Sequence, residues 1–212
     1  MNIEIIPVTS FRQNCSLVWD DNKSAVAIDP GGDSQKLIRR IEELGLDLKL
    51  ILLTHGHLDH VGAAPQLKQY FDVKVWGSNQ ADQYWFEALP EQSKKFGLFE
   101  IPAFLPDRWL NENGEKIRIG ELEFEVLQLP GHTPGHVGFI DHKNKVAFTG
   151  DVLFKQCIGR TDFIGGDHQT LLNSIKERMY VLPDDTIVIA GHGSYTTIGQ
   201  EKRTNPFVKV ES

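Results

Sequence analysis

The 212-residue chain predicts an α+β fold in which two β-sheets pack together with helices outside. Three observations predict it. Strand-like runs come in groups, give way to helical periodicities and then return. Hydrophobic residues at 40% and charged residues at 24% are ordinary for a soluble globular chain with one sizeable core. No linker or low-complexity tract divides residues 1–212, so a single domain is expected.

Ile3 to Val8 alternates loosely and reads as an edge strand. Cys15 to Trp19 and Ala25 to Ile28 read as two more, joined by the turn Asp20-Asp21-Asn22-Lys23. Asp29-Pro30-Gly31-Gly32 breaks the pattern, and Asp33 or Ser34 then suits a helix N-cap. Leu37, Ile38, Ile41 and Leu44 follow at helical spacing, and Gly45 is the stop. Leu48 to Leu53 reads as an apolar strand buried on both faces. Val61 to Phe71 is predicted helix, with Leu67, Tyr70 and Phe71 on its apolar side, and Val73 to Trp76 is a short strand. Ser78 is placed to cap a helix reaching Phe86. Glu87 to Asp107 has mixed periodicity and two prolines, Pro102 and Pro106; it reads as a surface excursion in preference to a cover over a site. Lys116 to Ile119 and Leu122 to Leu129 form a hairpin around Gly120-Glu121, and Val137 to Asp141 with Val146 to Phe148 form another. Gln169 to Val181 is amphipathic helix, Thr186 to Ala190 a strand, and Thr197 to Arg203 a last helical turn or two.

The net charge of −7 argues against broad nucleic-acid binding, which needs a cationic surface to release counterions. A single Arg or Lys can still hold one carboxylate of a small substrate. The two cysteines, Cys15 and Cys157, form no framework of paired spacings, so a reducing, cytoplasmic setting is expected. Met1 to Pro7 lacks the basic start and apolar core of a signal peptide. No apolar run approaches the roughly 18 residues of a membrane span.

Directly after the apolar run Leu48 to Leu53 stands Thr54-His55-Gly56-His57-Leu58-Asp59-His60. Imidazole nitrogens and carboxylate oxygens suit zinc, and also iron and manganese. Chance clustering of surface histidines is the competing reading, but three of the chain's eight His with an Asp in so short a window argue against it. Three more donors each follow a predicted strand and sit among Pro and Gly: His132 in Pro130-Gly131-His132, Asp151 in Gly150-Asp151, and His192 in Gly191-His192-Gly193. Any one of these pairs is weak evidence; together, beside the first block, they are strong.

His55-x-His57-x-Asp59-His60 with these partners resembles the signature of the metallo-β-lactamase superfamily, in the form carried by its glyoxalase II branch. The resemblance implies a four-layer αββα sandwich with the metal site at one edge between the sheets. It implies that His55, His57 and His132 hold one metal, that Asp59, His60 and His192 hold a second, and that Asp151 bridges both. His136, His142 and His168 have no ligand role in the pattern, and His136 reads as a structural turn residue in preference to a hydrogen-bonding partner of the site. Two divalent ions are thus expected, zinc first, with iron or manganese compatible. Metals roughly 3.5–4 Å apart share a water and lower its pKa toward neutrality, and one can polarise the carbonyl under attack. Asp59 is the carboxylate placed to orient that hydroxide and take its proton. A structural site is closed by four ligands, usually rich in Cys; seven without Cys point to catalysis.

Within the superfamily, Asp151 stands where the β-lactamases of this fold tend to use a cysteine ligand, and His60 is present; both disfavour β-lactam hydrolysis. The inserted nuclease domain and an appended flavin domain are not seen. Gly150 to Phe163, with its Gly159-Arg160-Thr161-Asp162 run, looks like both glyoxalase II and the persulfide dioxygenases. The dioxygenases hold one iron by two His and one Asp, here His57 or His55 with His132 and Asp151. The ending Ala190 to Thr197 with Asn205-Pro206-Phe207 resembles short bacterial glyoxalase II-like proteins. The expected activity is therefore hydrolysis of an S-(2-hydroxyacyl)glutathione such as S-D-lactoylglutathione, a small-molecule thioester, with no nucleic acid or membrane partner. Persulfide dioxygenase is the alternative, and a non-catalytic metal store a remote one. Arg160 is the expected contact for a glutathione carboxylate, with Lys155 and Arg203 weaker candidates. The chain ends at Ser212 without the helical C-terminal region of full-length glyoxalase II, which raises the question of the true thiol.

Overall fold

In the computed structural model, which describes residues 1–97 and 100–209, the buried apolar side chains sort into three clusters, and these define four layers. The first half builds β1 (Asn2–Val8), β2 (Gln13–Trp19), β3 (Ser24–Ile28), α1 (Ser34–Glu43), β4 (Asp47–Leu53), α2 (Leu58–Val61), α3 (Ala64–Phe71) and β5 (Lys74–Gly77). Its sheet runs β1-β2-β3-β4-β5, antiparallel at first and parallel from β3 onward. After α4 (Gln83–Glu87) and α5 (Leu89–Lys95) come β6 (Lys116–Ile119), β7 (Leu122–Gln128), β8 (Val137–Asp141), β9 (Val146–Gly150), β10 (Leu153–Phe154) and β11 (Cys157–Ile158). α6 (His168–Ser174), β12 (Ile187–Ala190), β13 (Thr196–Thr197) and α7 (Ile198–Thr204) close the chain. The second sheet runs β13-β12-β9-β8-β7-β6, and β10 and β11 form a small ribbon apart.

Alternation along the strands decides which face each residue serves. In β3, Val26 and Ile28 face the other sheet, where they join Phe124, Phe139 and Phe148 in the central cluster. Ala25 and Ala27 point outward, where Leu37 and Ile41 of α1 and Leu67 of α3 cover them. On the outer face of the second sheet, Ile140, Ala147 and Val188 pack on Leu171 of α6 and on Ile175 and Met179 just beyond it. The chain therefore has the α+β, αββα architecture of the metallo-β-lactamase fold.

Several expectations are corrected. The run Leu48 to Leu53 is not uniformly buried, because the ladder to β3 shifts register past Lys49 and leaves its charged head in water. The helix expected over Val61 to Phe71 is two short ones, α2 and α3, broken at Gly62 and Ala63. Tyr70 faces solvent, where its hydroxyl donates to Glu42 at 2.6 Å. Asp33 occupies the N-cap of α1 without capping it, since its carboxylate accepts the Thr9 N–H instead. Asn79, not Ser78, caps the turn into α4, accepting the Ala81 N–H. The expected excursion Glu87 to Asp107 contains α5, whose buried Gln92 accepts the Leu58 N–H at 3.0 Å and so supports the histidine loop; Leu98 and Phe99 lie outside the described residues. The very short strands β10, β11 and β13 had no sequence signal, since a two-residue strand has no period.

The carboxyl ends of β4, β9 and β12 reach the same edge of the sandwich, the usual place for a site where sheets meet. Main-chain bonds stitch the sheets there. Val137 N–H donates to the Thr54 carbonyl at 2.9 Å, and Asn14 N–H to the Gly191 carbonyl at 2.7 Å. The Asn14 amide also donates to the Ala190 and Gly193 carbonyls, so both sides of the His192 turn are held.

Candidate metal centre

All seven donors expected from the sequence meet at this edge. His55 Nε2 lies 3.1 Å from His57 Nδ1, which lies 3.0 Å from His132 Nε2. The outer hydrogen bonds fix the tautomers. Thr54 gives its hydroxyl proton to Asp29 at 2.6 Å, so its oxygen accepts from His55 Nδ1–H at 3.0 Å and leaves His55 Nε2 bare. His132 Nδ1–H donates to the Arg160 carbonyl at 2.7 Å, leaving its Nε2 bare as well. Burial holds His55, His57 and His132 below the ordinary imidazole pKa, with His57 down at about 3 and neighbouring His132 adding to the effect. The bare Nε2 atoms of His55 and His132 thus crowd His57 Nδ1 among neutral rings, an arrangement that a cation relieves.

A second group forms beside the first, from Asp59, His60 and His192. His192 Nε2 is 3.2 Å from Asp59 Oδ2, and His192 Nδ1–H donates to the Phe11 carbonyl at 3.2 Å. His60 Nδ1–H donates to Asp29 at 2.9 Å, which points its Nε2 inward. Asp151 lies between the groups: its Oδ2 is 3.7 Å from His132 Nε2 and 3.7 Å from His192 Nε2, and its Oδ1 is 3.4 Å from His60 Nε2. Both His60 Nε2 and Asp151 Oδ1 are buried without a hydrogen-bond partner. Buried orphan donors of this kind are expensive unless something occupies the space they face. Burial opposes charge on His60, yet the facing Asp151 and Asp59 carboxylates win and hold its imidazole well above the ordinary range. Burial likewise opposes charge on Asp151, and His60 overrides it and holds that carboxyl well below its usual value. The field at this point calls for positive charge, so the residues fit a pair of divalent ions.

Local sequence explains how these turns come so close. Gly150 sits at φ 48°, where a Cβ would meet Thr54 Oγ1 at 2.5 Å and His136 Nε2 at 2.7 Å. A Cβ at Gly191 would stand 2.3 Å from Asp151 Oδ1 and fill the centre itself. His136 is more than the turn residue expected of it. Its Nε2 accepts the Asp151 N–H at 3.1 Å, and its ring stacks on His55 at 4.7 Å.

Sequence reasoning missed four supporting residues. Asp29 belongs to a breaker in the sequence, and in the fold its carboxylate holds Thr54 and His60 together. Asp82 is buried and accepts from Gly56 N–H, Thr133 Oγ–H and Gly135 N–H at 3.1, 2.8 and 2.6 Å, tying the His55–His57 loop to the His132 loop. Trp85 and Phe163 pack on the His57 ring at 4.5 and 4.7 Å and wall the centre. An Asp after a strand was the available signal for Asp29; nothing local marks Asp82. Arg160 is exposed, with its guanidinium paired to Asp162 at 2.7 and 2.9 Å and stacked over Phe163 at 4.8 Å. Lys155 and Arg203 are likewise exposed.

Comparison with known proteins agrees with this geometry. The family profile described as the metallo-beta-lactamase superfamily matches residues 8–192. The chain is 66% identical to the Haemophilus influenzae protein named hydroxyacylglutathione hydrolase GloC, over 100% of both chains. Among solved structures, BLEG-1 B3 metallo-beta-lactamase shares 40% identity at a TM-score of 0.91, covering 98% of this chain and 99% of that one. TTHA1623, solved in a di-iron-bound form, shares 40% identity at a TM-score of 0.88, covering 97% and 100%.

Proposed function

The chain belongs to the metallo-beta-lactamase superfamily, and from that premise we propose that it is a binuclear metal-dependent thioester hydrolase of the glyoxalase II type. It cleaves an S-(2-hydroxyacyl)glutathione such as S-D-lactoylglutathione. Water supplies oxygen to the acyl carbon, the C–S bond breaks, and the thiol departs with its electron pair. The observation that carries this reading is the pair of adjoining donor groups with Asp151 between them. The full-length relative named hydroxyacylglutathione hydrolase supports the substrate class.

His55, His57 and His132 are assigned to one ion, Asp59, His60 and His192 to the other, and Asp151 to both. Zinc is the assigned metal, with iron and manganese compatible with the same donors. When bound, the ions supply a nucleophilic water-derived oxygen at neutral pH and positive charge opposite the developing oxyanion. Asp59 orients the attacking water and receives its proton. His60 and His192 facing it keep its carboxyl ionised despite burial. Trp85 and Phe163 exclude bulk water beside His57. The departing thiol, with an ordinary pKa of about 8.5, needs no dedicated general acid. Arg160 is the assigned contact for a glutathione carboxylate, exchanging Asp162 for the ligand. No helix among the described residues is long and apolar enough to cross a membrane. The reducing cytoplasm is the proposed setting, on the ground that Cys15 and Cys157 are both free thiols.

In the dioxygenase alternative, one iron uses His57 or His55 with His132 and Asp151, and Asp59, His60 and His192 have no task; their convergence favours the hydrolase. The test is metal analysis with paired assays on one preparation. Cleavage of S-D-lactoylglutathione that persists without oxygen is expected. Oxygen uptake with glutathione persulfide and no thioester cleavage would install the dioxygenase reading. Bound metal without either activity would favour storage, and turnover of a β-lactam alone would reassign the branch.

A further inference from the structure

A cleft of about 340 Å³ lies beside Asp59, between the β1–β2 turn, the turn before α1, and α2 with α3, and Asp59 is the one donor of the centre among its lining residues. Its apolar wall is Phe11, Leu58, Ala63 and Ile101. Its charged residues are Asp33, Glu100 and Asp59, and no Lys or Arg lines it among the described residues. The Arg160–Phe163 segment meets the centre elsewhere, at His132 and His57. The two approaches therefore differ in charge. Glutathione carries two carboxylates, which the acidic cleft repels and the Arg160 side can accept.

We propose that the cleft beside Asp59 is the acyl-binding subsite, and that it selects uncharged acyl chains longer than lactoyl. This rests on the thioester hydrolase reading. A lactoyl group has five heavy atoms, far fewer than a cleft of about 340 Å³ can take. The excess space is lined by apolar side chains, so each further methylene leaves water on binding. The same turn that offers Phe11 to the wall also accepts the His192 Nδ1–H through the Phe11 carbonyl. An edge contact between Phe11 and Phe96, at 5.6 Å, ties that turn to the end of α5. The wall is thus anchored to the centre on one side and to a helix on the other. A chain ending in a carboxylate meets Asp33 and Glu100 and is rejected.

The experiment is a series of S-acylglutathiones on the metal-loaded full chain: acetyl, lactoyl, propanoyl, pentanoyl and glutaryl. The kcat/KM is expected to rise at least about fivefold from propanoyl to pentanoyl, two methylenes apart. Glutaryl, which has the same five carbons with a carboxylate in place of the terminal methyl, is expected at least about tenfold below pentanoyl. Gln66 is exposed at the cleft, and Gln66→Trp narrows it without touching the core. That variant should lower the pentanoyl-to-acetyl ratio about tenfold, and Glu100→Lys should raise the glutaryl-to-pentanoyl ratio about fivefold. If acetyl and lactoyl esters are cleaved but the rates ignore chain length, terminal charge and both substitutions, the acyl chain lies elsewhere and the inference is wrong while the hydrolase reading stands. If no thioester is cleaved, the hydrolase reading fails and takes this subsite with it.

Discussion

Four of the seven donors at the centre are oriented by a second residue that takes up the outer nitrogen of the ring. Thr54 does this for His55, the Arg160 carbonyl for His132, Asp29 for His60 and the Phe11 carbonyl for His192. Asp59 differs in facing the proposed reaction as well as an ion. Exchanging Asp59 for Asn keeps a donor oxygen and removes the proton acceptor, so kcat/KM for lactoylglutathione should fall by about 10²-fold or more while the protein stays folded. Steady-state kinetics with a circular dichroism control measure this, and full activity in the variant would remove Asp59 from its role. The two thiols differ by environment alone. Cys15 is fully buried, and burial with the nearby Asp29 charge holds its thiol well above the ordinary range. Cys157 is exposed. Iodoacetamide under native conditions should modify Cys157 and spare Cys15, as mass spectrometry of the digest would reveal.

Among the secondary elements, the short helices over residues 80–95 are the ones whose role needed the folded chain. Asp82 reaches from them to both ligand loops, and Gln92 to the start of α2. Asp82→Ala would leave two buried N–H groups and a hydroxyl unpaired, at about 1–3 kcal/mol each. Burial pushes the Asp82 carboxyl up to about 6, against the three hydrogen bonds that lower it. The folded pKa therefore lies above the unfolded one, so this group's stabilisation is full below about pH 4 and lost as pH rises through about 6. Asp82→Asn deletes that contribution. Chemical denaturation at pH 4.5 and pH 7 should show the variant faring better at the higher pH, relative to wild type, by an amount on the order of 2 kcal/mol. Identical pH slopes would show that Asp82 stays ionised throughout. The split of α2 from α3 was hidden because Val61 to Phe71 keeps a helical period across Gly62, and Gly62 breaks it only where Gly31 and Ile101 press in.

Across the whole molecule, donors from both halves of the chain converge on one edge, so ions held there bind the folded state alone. Ligand at about a hundred times its dissociation constant adds roughly 2.7 kcal/mol, and at this chain length each kcal/mol moves Tm by about 2–4 °C. Stripping the metal should lower Tm by about 5–10 °C, restored by zinc, and differential scanning calorimetry would detect it. An unchanged Tm would mean that the two donor groups hold no ion. The sequence by itself determined a mixed α and β class, because strand and helix periods are local, and it singled out seven candidate donors, because His and Asp after strands, flanked by Gly, are unusual enough to stand out; the four-layer sandwich followed from the family resemblance those residues carry. It also placed the longer strands, α1 and α7 to within about two residues. Only the tertiary structure decided that Asp29 and Asp82 brace the loops, that His136 holds Asp151, that Arg160 acts on His132 through its carbonyl, and that an acidic-rimmed cleft opens at Asp59. Those relations join residues far apart in the chain, and distance in sequence carries no period from which to read them.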